Sequence, residues 1–291
     1  MIEVNELCKS YGKTRVLTNI NLTLEENKIY GLLGRNGVGK TTLMNIISNQ
    51  IKSTSGEVKY DGMNLYENSS AVENICIVRE KGIPVDKEKV KEIFATSRIL
   101  YKDWDEEYKN FLVHEFNLDV RKKYTKLSRG NQTIVGLIIG LASRAGLTIF
   151  DEPSLGLDAA YRYKFYDLLL EDMQINPRTI IISTHLIDEV TNLFEEVIIL
   201  KDEKVYIKDE VPNITEKAYF LNGKWENIQP VVSGKNIIHK EGFGSSVIVG
   251  VFEKLTLKEK ELLKSNNVEI SNIPLQKLFV YLTEKNNMEV L

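Results

Sequence analysis

At 291 residues, with 43% hydrophobic and 27% charged residues, the chain reads as one large globular domain plus a smaller one. A net charge of −3 offers no broad basic field, so no nucleic-acid partner is expected, and two distant cysteines, Cys8 and Cys76, make no disulfide framework. The start, Met1 to Glu6, is acidic and alternating rather than signal-like, and the longest apolar run, Ile134 to Leu141, is too short to span a bilayer.

Ile2 to Leu7 and Val16 to Leu24 alternate as strands around a turn at Tyr11-Gly12-Lys13, with Leu17, Ile20, Leu22 and Leu24 inward. This polar alternation predicts an antiparallel sheet beside the main core and not part of it. Ile29 to Leu33 predicts a buried parallel strand. It runs into Gly34-Arg35-Asn36-Gly37-Val38-Gly39-Lys40-Thr41 and then the helical Thr42-Leu43-Met44-Asn45-Ile46-Ile47. Strand, glycine-rich turn and helix are the setting of a phosphate-binding loop. The glycines let backbone N–H groups converge on phosphate oxygens with no Cβ in the way, and the helix dipole adds positive potential beneath them. Lys40 would reach the β- and γ-phosphates and the Thr41 hydroxyl would hold Mg²⁺. Gly34, Asn36, Gly37, Gly39, Lys40, Thr41 and Thr42 are therefore the candidate nucleotide-binding residues. Gly56 to Gly62 predicts a short exposed hairpin strand.

From Asp86 the pattern turns helical. Asp86 is the expected N-cap of a helix carrying Val90, Ile93, Phe94 and Ser97 on one face. A second helix is expected from about Asp103, with Trp104, Tyr108, Phe111, Leu112 and Glu115 at helical spacing, its aromatic stripe serving packing. Together they predict a helical subdomain inserted at about residues 82–145. Leu147 to Phe150 and Thr179 to Ser183 are continuous apolar strands of a sheet covered on both faces, joined by a helix from Tyr161 to Met173. The first of them delivers Asp151-Glu152-Pro153 to a strand's carboxyl end, where ligands sit in open α/β sheets. Asp151 can hold Mg²⁺ through water, Glu152 can polarise an attacking water as general base, and His185, leaving the second strand, can bond a γ-phosphate or that water. Val197 to Leu200 and Lys204 to Lys208 read as a hairpin turning at Lys201-Asp202-Glu203. Beyond Val211-Pro212-Asn213 come strands at Ala218 to Leu221 and Ser246 to Val251, and helices at Leu255 to Leu263 and Pro274 to Leu282. The domain limits read from this are 1–210 and 214–291.

The stretch Leu127-Ser128-Arg129-Gly130-Asn131-Gln132, ahead of Asp151, resembles the signature loop of the ATP-binding subunits of ATP-binding-cassette (ABC) transporters, Leu-Ser-Gly-Gly-Gln. The resemblance covers roughly residues 1–210. It implies an α/β fold: a P-loop NTPase core with a mostly parallel sheet, an antiparallel β subdomain and an inserted helical subdomain, followed here by a small C-terminal α+β appendage. It also implies ATP and Mg²⁺ as cofactors. Ser128 and Gly130 match the residues that cap the nucleotide held by a second subunit, so the partner is another ATP-binding subunit, in a homodimer or a heterodimer. Tyr11 matches the adenine-stacking aromatic, and Asp158, in Ser154-Leu155-Gly156-Leu157-Asp158, the aspartate that couples the two sites. Glu80, in Ile77-Val78-Arg79-Glu80, stands where most members carry a metal-sensing glutamine. Arg129 replaces the first glycine and is expected to face solvent. Trp104-Asp105-Glu106-Glu107-Tyr108 and Arg129 further resemble a bacterial subfamily serving exporters of antibiotics or peptides. The expected function is thus an ATPase, with Glu152, His185 and Lys40 catalytic, that drives export through a separate polytopic membrane permease. Its place is the cytoplasm, peripheral on the inner face of the cell membrane. A soluble ABC-type ATPase of translation or DNA maintenance is the alternative, and a small-molecule kinase a weaker one.

Overall fold

The computed structural model describes residues 1–66 and 68–284; residues 285–291 of the expected C-terminal domain lie outside them. Two compact units emerge, Met1–His185 with Asn192–Lys208, and Leu186–Thr191 with Asp209–Leu291. The chain runs β1 (Ile2–Tyr11), β2 (Thr14–Leu24), β3 (Ile29–Gly34), α1 (Lys40–Ile47), β4 (Ser55–Tyr60), β5 (Met63–Asn64), α2 (Ser69–Val72) and β6 (Ile75–Val78). It continues through α3 (Val90–Leu100), α4 (Glu106–Glu115), α5 (Arg129–Ala142), β7 (Leu147–Asp151), α6 (Ala159–Ile175) and β8 (Thr179–Ser183). After α7 (Ile187–Val190) come β9 (Glu196–Lys201) and β10 (Lys204–Glu210).

The first unit is built on a six-stranded sheet in the order β10-β9-β3-β8-β7-β6. From β9 to β6 every neighbouring pair is parallel. β3, β7, β8 and β9 are buried almost throughout, which is why they read as unbroken apolar runs. Asp202 and Glu203 both have positive φ, 48° and 66°, and together form the tight turn that lets β10 fold back on β9.

The second sheet, β2-β1-β4-β5, is antiparallel. It differs from expectation in one respect: it is not a separate layer. Val4, Leu22 and Leu24 share one buried cluster with Leu43 and Met44 of α1 and with Tyr30 and Leu32 of β3. The inner face of this sheet thereby covers the helix that carries Lys40. Register breaks between Leu7 and Lys9 allow Leu17 and Ile20, of opposite parity, both to be buried. β4 is likewise less exposed than expected, because it pairs with β1 and buries Val58.

Two helix starts are corrected. α3 begins at Val90 and not near Asp86, because the Glu92 carboxylate accepts from Lys89 N–H at 2.8 Å and so sets the first turn there. α4 begins at Glu106 and not at about Asp103, capped by Asp105, whose Oδ1 accepts from Tyr108 N–H at 2.8 Å. α5 begins at Arg129, five residues ahead of the apolar run at Ile134, with Ser128 as its cap.

α5 runs against β6 and β7 on a glycine stripe: a Cβ on Gly140 would lie 2.5 Å from the Phe150 ring, and one on Gly136 2.8 Å from Val78. Gly140→Ala sets a helix-propensity gain of about 1 kcal/mol against overpacking of about 1–3 kcal/mol. We expect a net loss of about 1–2 kcal/mol in urea unfolding; a stabilised variant would show that the helix can back away from the sheet.

The second unit continues with α8 (Val211–Thr215), β11 (Ala218–Gly223), α9 (Trp225–Val232), β12 (Ile237–Phe243), β13 (Ser246–Phe252), α10 (Leu257–Ser265), β14 (Glu269–Asn272) and α11 (Leu275–Thr283). Its sheet, β12-β13-β11-β14, is antiparallel. The βαββαβ order of β11 to β14 with α9 and α10 is the split βαβ, ferredoxin-like arrangement. Ile228, Val231, Leu263, Val249 and Val251 form its core. α11 buries Leu275, Leu278 and Leu282, so its apolar stripe is packing surface.

Candidate functional site

Four adjacent strands of the parallel sheet, β3, β8, β7 and β6, end on the same side and deliver the candidate residues there. β3 ends in the phosphate loop, β8 leads to His185, β7 to Asp151 and Glu152, and β6 to Arg79 and Glu80. A parallel sheet places consecutive strand ends about 4.8 Å apart, so residues far apart in sequence share one rim.

The loop curls around its own lysine. Lys40 Nζ donates to Gly34 O at 2.5 Å and to Arg35 O at 3.4 Å. Gly39, at φ 111°, is the N-cap of α1, and a Cβ there would meet Leu17 Cδ2 at 2.8 Å and Val16 O at 3.0 Å. Only glycine permits both that backbone and the close lid of β2. Asn36 and Gly37 are exposed at the tip, while Thr41 and Thr42 open α1. Burial lowers the affinity of Lys40 for its proton, opposed by the nearby Glu152 and Asp151 carboxylates.

Thr41 Oγ1 donates to Asp151 Oδ2 at 3.4 Å. Asp151 is buried, and desolvation first, then the charges of Glu152 and Glu80, push its carboxyl above the ordinary range. Among the described residues no group of three or more His, Cys, Asp or Glu side chains forms a protein-only metal site. One hydroxyl and one carboxylate oxygen, set among excess negative charge, suit Mg²⁺, which keeps several waters and shares its shell with phosphate.

Glu152 follows with φ 52°, a left-handed backbone unusual for glutamate, held by its N–H donating to Ser183 O at 2.9 Å. This turn brings Glu152 Oε2 to 2.7 Å from His185 Nδ1. Tyr11, 51% exposed, is at the tip of the β1–β2 hairpin, two residues beyond Lys9, which pairs with Leu17; Lys9 Nζ lies 5.0 Å from its ring centre.

A second group surrounds the loop after Glu152. Ser128 Oγ accepts from Asn131 N–H at 3.3 Å, Thr133 Oγ1 donates to Leu155 O at 2.9 Å, and a Cβ on Gly130 would lie 2.7 Å from Gly156 O. Asp158 caps α6, its Oδ1 accepting from Tyr161 N–H at 2.9 Å. Among the described residues no hydrogen bond or ion pair joins Ser128 or Gly130 to the phosphate loop. Arg129 faces solvent as expected, its side chain 67% exposed, and in addition its guanidinium lies 3.7 Å from Glu80 Oε1.

Arg79 is a residue the sequence reading passed over. Its Nη2 donates to Gln50 Oε1 at 3.1 Å and Asn45 Oδ1 at 3.4 Å, fastening the segment that carries Glu80 to α1. Nothing local marks it, since its partners are about 30 residues away in sequence.

Comparison with known proteins identifies the family. The family model "ABC transporter" matches residues 17–155. Tungstate uptake system ATP-binding protein TupC of Peptoclostridium acidaminophilum is 32% identical over 192 residues, covering 65% of this chain and 88% of that protein. The chain belongs to the ABC transporter family. The matched part is its ATP-binding cassette. The ABC transporter ATP-binding protein YtrB of Bacillus subtilis is 32% identical over 190 residues, 65% of each chain, so the match spans just under two thirds of that relative. Lantibiotic transport ATP-binding protein SrtF of Streptococcus pyogenes is 28% identical over 207 residues, 65% of this chain and 82% of that one. Among solved structures, the dimeric post-hydrolysis state of the cassette MJ0796 with ADP and Pi shares the fold, with a TM-score of 0.63 and 24% identity over 72% of this chain and 99% of that one. No helix of this cassette chain is long and apolar enough to cross a membrane among the described residues.

Proposed function

We propose that this chain is an ATP-hydrolysing motor subunit that powers export of a peptide, antibiotic or other amphipathic substrate through a separate polytopic membrane subunit. The observation that carries the reading is the single rim holding the phosphate loop, the Thr41–Asp151 pair and the Glu152–His185 pair. In this reading the first unit is the motor and the second an accessory domain. The loop amides and Lys40 bind the phosphates, and Tyr11 stacks on adenine. Thr41 and Asp151, with Glu80 nearby, would hold Mg²⁺, which would neutralise phosphate charge. Glu152 takes the proton of the attacking water, and His185 orients its carboxylate.

The match of Ser128 and Gly130 to the signature loop supports a second subunit, identical or related, whose α5 start closes over the nucleotide. Asp158 stands at the neighbouring α6 cap, next to that junction. ATP then favours the closed pair by differential affinity, and hydrolysis releases it. Such a subunit sits on the cytoplasmic face of the membrane. Export rather than uptake rests on the Trp104–Tyr108 stretch, Arg129 and the lantibiotic-transport relative. Co-purification with a polytopic membrane protein supports the reading; recovery with ribosomes or DNA instead would favour the soluble alternative.

Lys40→Ala tests the nucleotide site. Charge-assisted hydrogen bonds contribute about 1.5–3 kcal/mol each, so affinity for a fluorescent ATP analogue should fall about 10- to 100-fold. Unchanged affinity in a folded variant would remove the phosphate loop from the site.

A further inference from the structure

Glu80 and Arg129 lie 49 positions apart in the chain, yet their charged groups approach to 3.7 Å. Glu80 follows β6 and faces the same cavity, of about 610 Å³, that Asp151, Glu152 and Arg129 line. Its field acts on Asp151 across that space. The carboxylates Asp151, Glu152 and Glu80 line this cavity together with the cations Arg79, Lys81 and Arg129, and of these cations Arg129 is the one paired with Glu80.

The arginine is also braced. Its stem rests on Gly156, where a Cβ would lie 3.1 Å from Arg129 Cγ, and its backbone begins α5. The two side chains are 67% and 47% exposed, but a stem resting on Gly156 loses less freedom when the guanidinium pairs, so the pair can still hold its partner's direction.

We propose that Arg129 is a positioning residue for the metal site of its own protomer: it holds the Glu80 carboxylate in a fixed direction and restrains it from closing on the cation at Thr41 and Asp151. The proposal rests on the nucleotide–metal reading above. It also makes the ion pair a tie between that site and the start of α5. If α5 shifts relative to β6, the pair breaks and Glu80 is released toward the metal.

The test is a double-mutant cycle on the full chain with Arg129→Gln, Glu80→Gln and both together, read by direct Mn²⁺ titration in the presence of ADP, with no turnover involved. Exposed ion pairs contribute up to about 1 kcal/mol, so Arg129→Gln should tighten Mn²⁺ about two- to fivefold while Glu80 is present. Once position 80 is glutamine the same substitution should change affinity by less than about 1.5-fold. Arg129→Lys should restore part of the wild-type value, which a purely packing role would not give. Equal effects of Arg129→Gln in both backgrounds, or looser Mn²⁺ binding, would overturn the pairing. Failure of the wild-type chain to bind Mn²⁺ with ADP would overturn the metal site beneath it and the proposal with it, a result distinguishable from additivity.

Discussion

Glu152→Gln is expected to lower ATP turnover by a factor of about 10² or more while leaving nucleotide affinity within a few-fold of wild type. The substitution keeps the side chain's size and one oxygen but removes its capacity to take a proton. Glu152 is set apart from the binding residues: it hydrogen-bonds His185 at 2.7 Å, whereas the phosphate loop is closed by Lys40 and α1. Phosphate release at saturating ATP and equilibrium binding of a fluorescent analogue measure the two quantities separately. Slowed hydrolysis should also trap the closed pair, so the variant with Mg-ATP should sediment as a dimer. Unchanged turnover would dismiss Glu152 as the base, and a variant that stays monomeric at high concentration would undermine the shared-site reading.

Asp172→Asn is expected to destabilise the first unit by about 3–5 kcal/mol, a large share of the 5–15 kcal/mol typical of a domain. Asp172, on α6, has a side chain only 1% exposed and pairs with both Arg144 and Arg178, the latter at 2.8 Å. Arg144 also reaches Asp105 Oδ2 at 2.8 Å and lies 4.4 Å from the Tyr108 ring centre, with its own backbone at φ 52°. Removing one charge leaves the buried Arg178 without its carboxylate and the largely buried Arg144 with only the partly exposed Asp105. Asp105→Asn should lose less, since that side chain is 33% exposed. Urea unfolding of both variants gives the comparison; a loss under about 1 kcal/mol for Asp172→Asn would mean that the arginines find water. The network explains the Trp104–Tyr108 stretch structurally: it is the point at which α4 is tied to the end of α5 and to α6.

What could be read in advance was what is local. The phosphate loop declares itself because glycine spacing, lysine and threonine are contiguous, and Asp151-Glu152 because an apolar strand runs straight into them. The helix starts differ from expectation because Asp86 has the right side chain for a cap, while Glu92 and Asp105 have the bonding geometry. α9 escaped notice because Pro230 lies inside it, and β14 because Glu269–Asn272 is too short and polar to stand out. Arg129 with Glu80, and Arg144 with Asp172, are pairings made by the fold; neither member signals the other along the chain.

The central position of β3 has a consequence for how the protein is made. Its partners, β8 and β9, are encoded far downstream: Ile29 pairs with Ile180, and Tyr30 with Glu196. At ribosomal speeds of about 5–20 residues per second, the apolar strand waits roughly 8–30 s for its first neighbour. During synthesis that strand, with α1 behind it, is a sticky surface that must be shielded by chaperones or by the early β1–β2 hairpin.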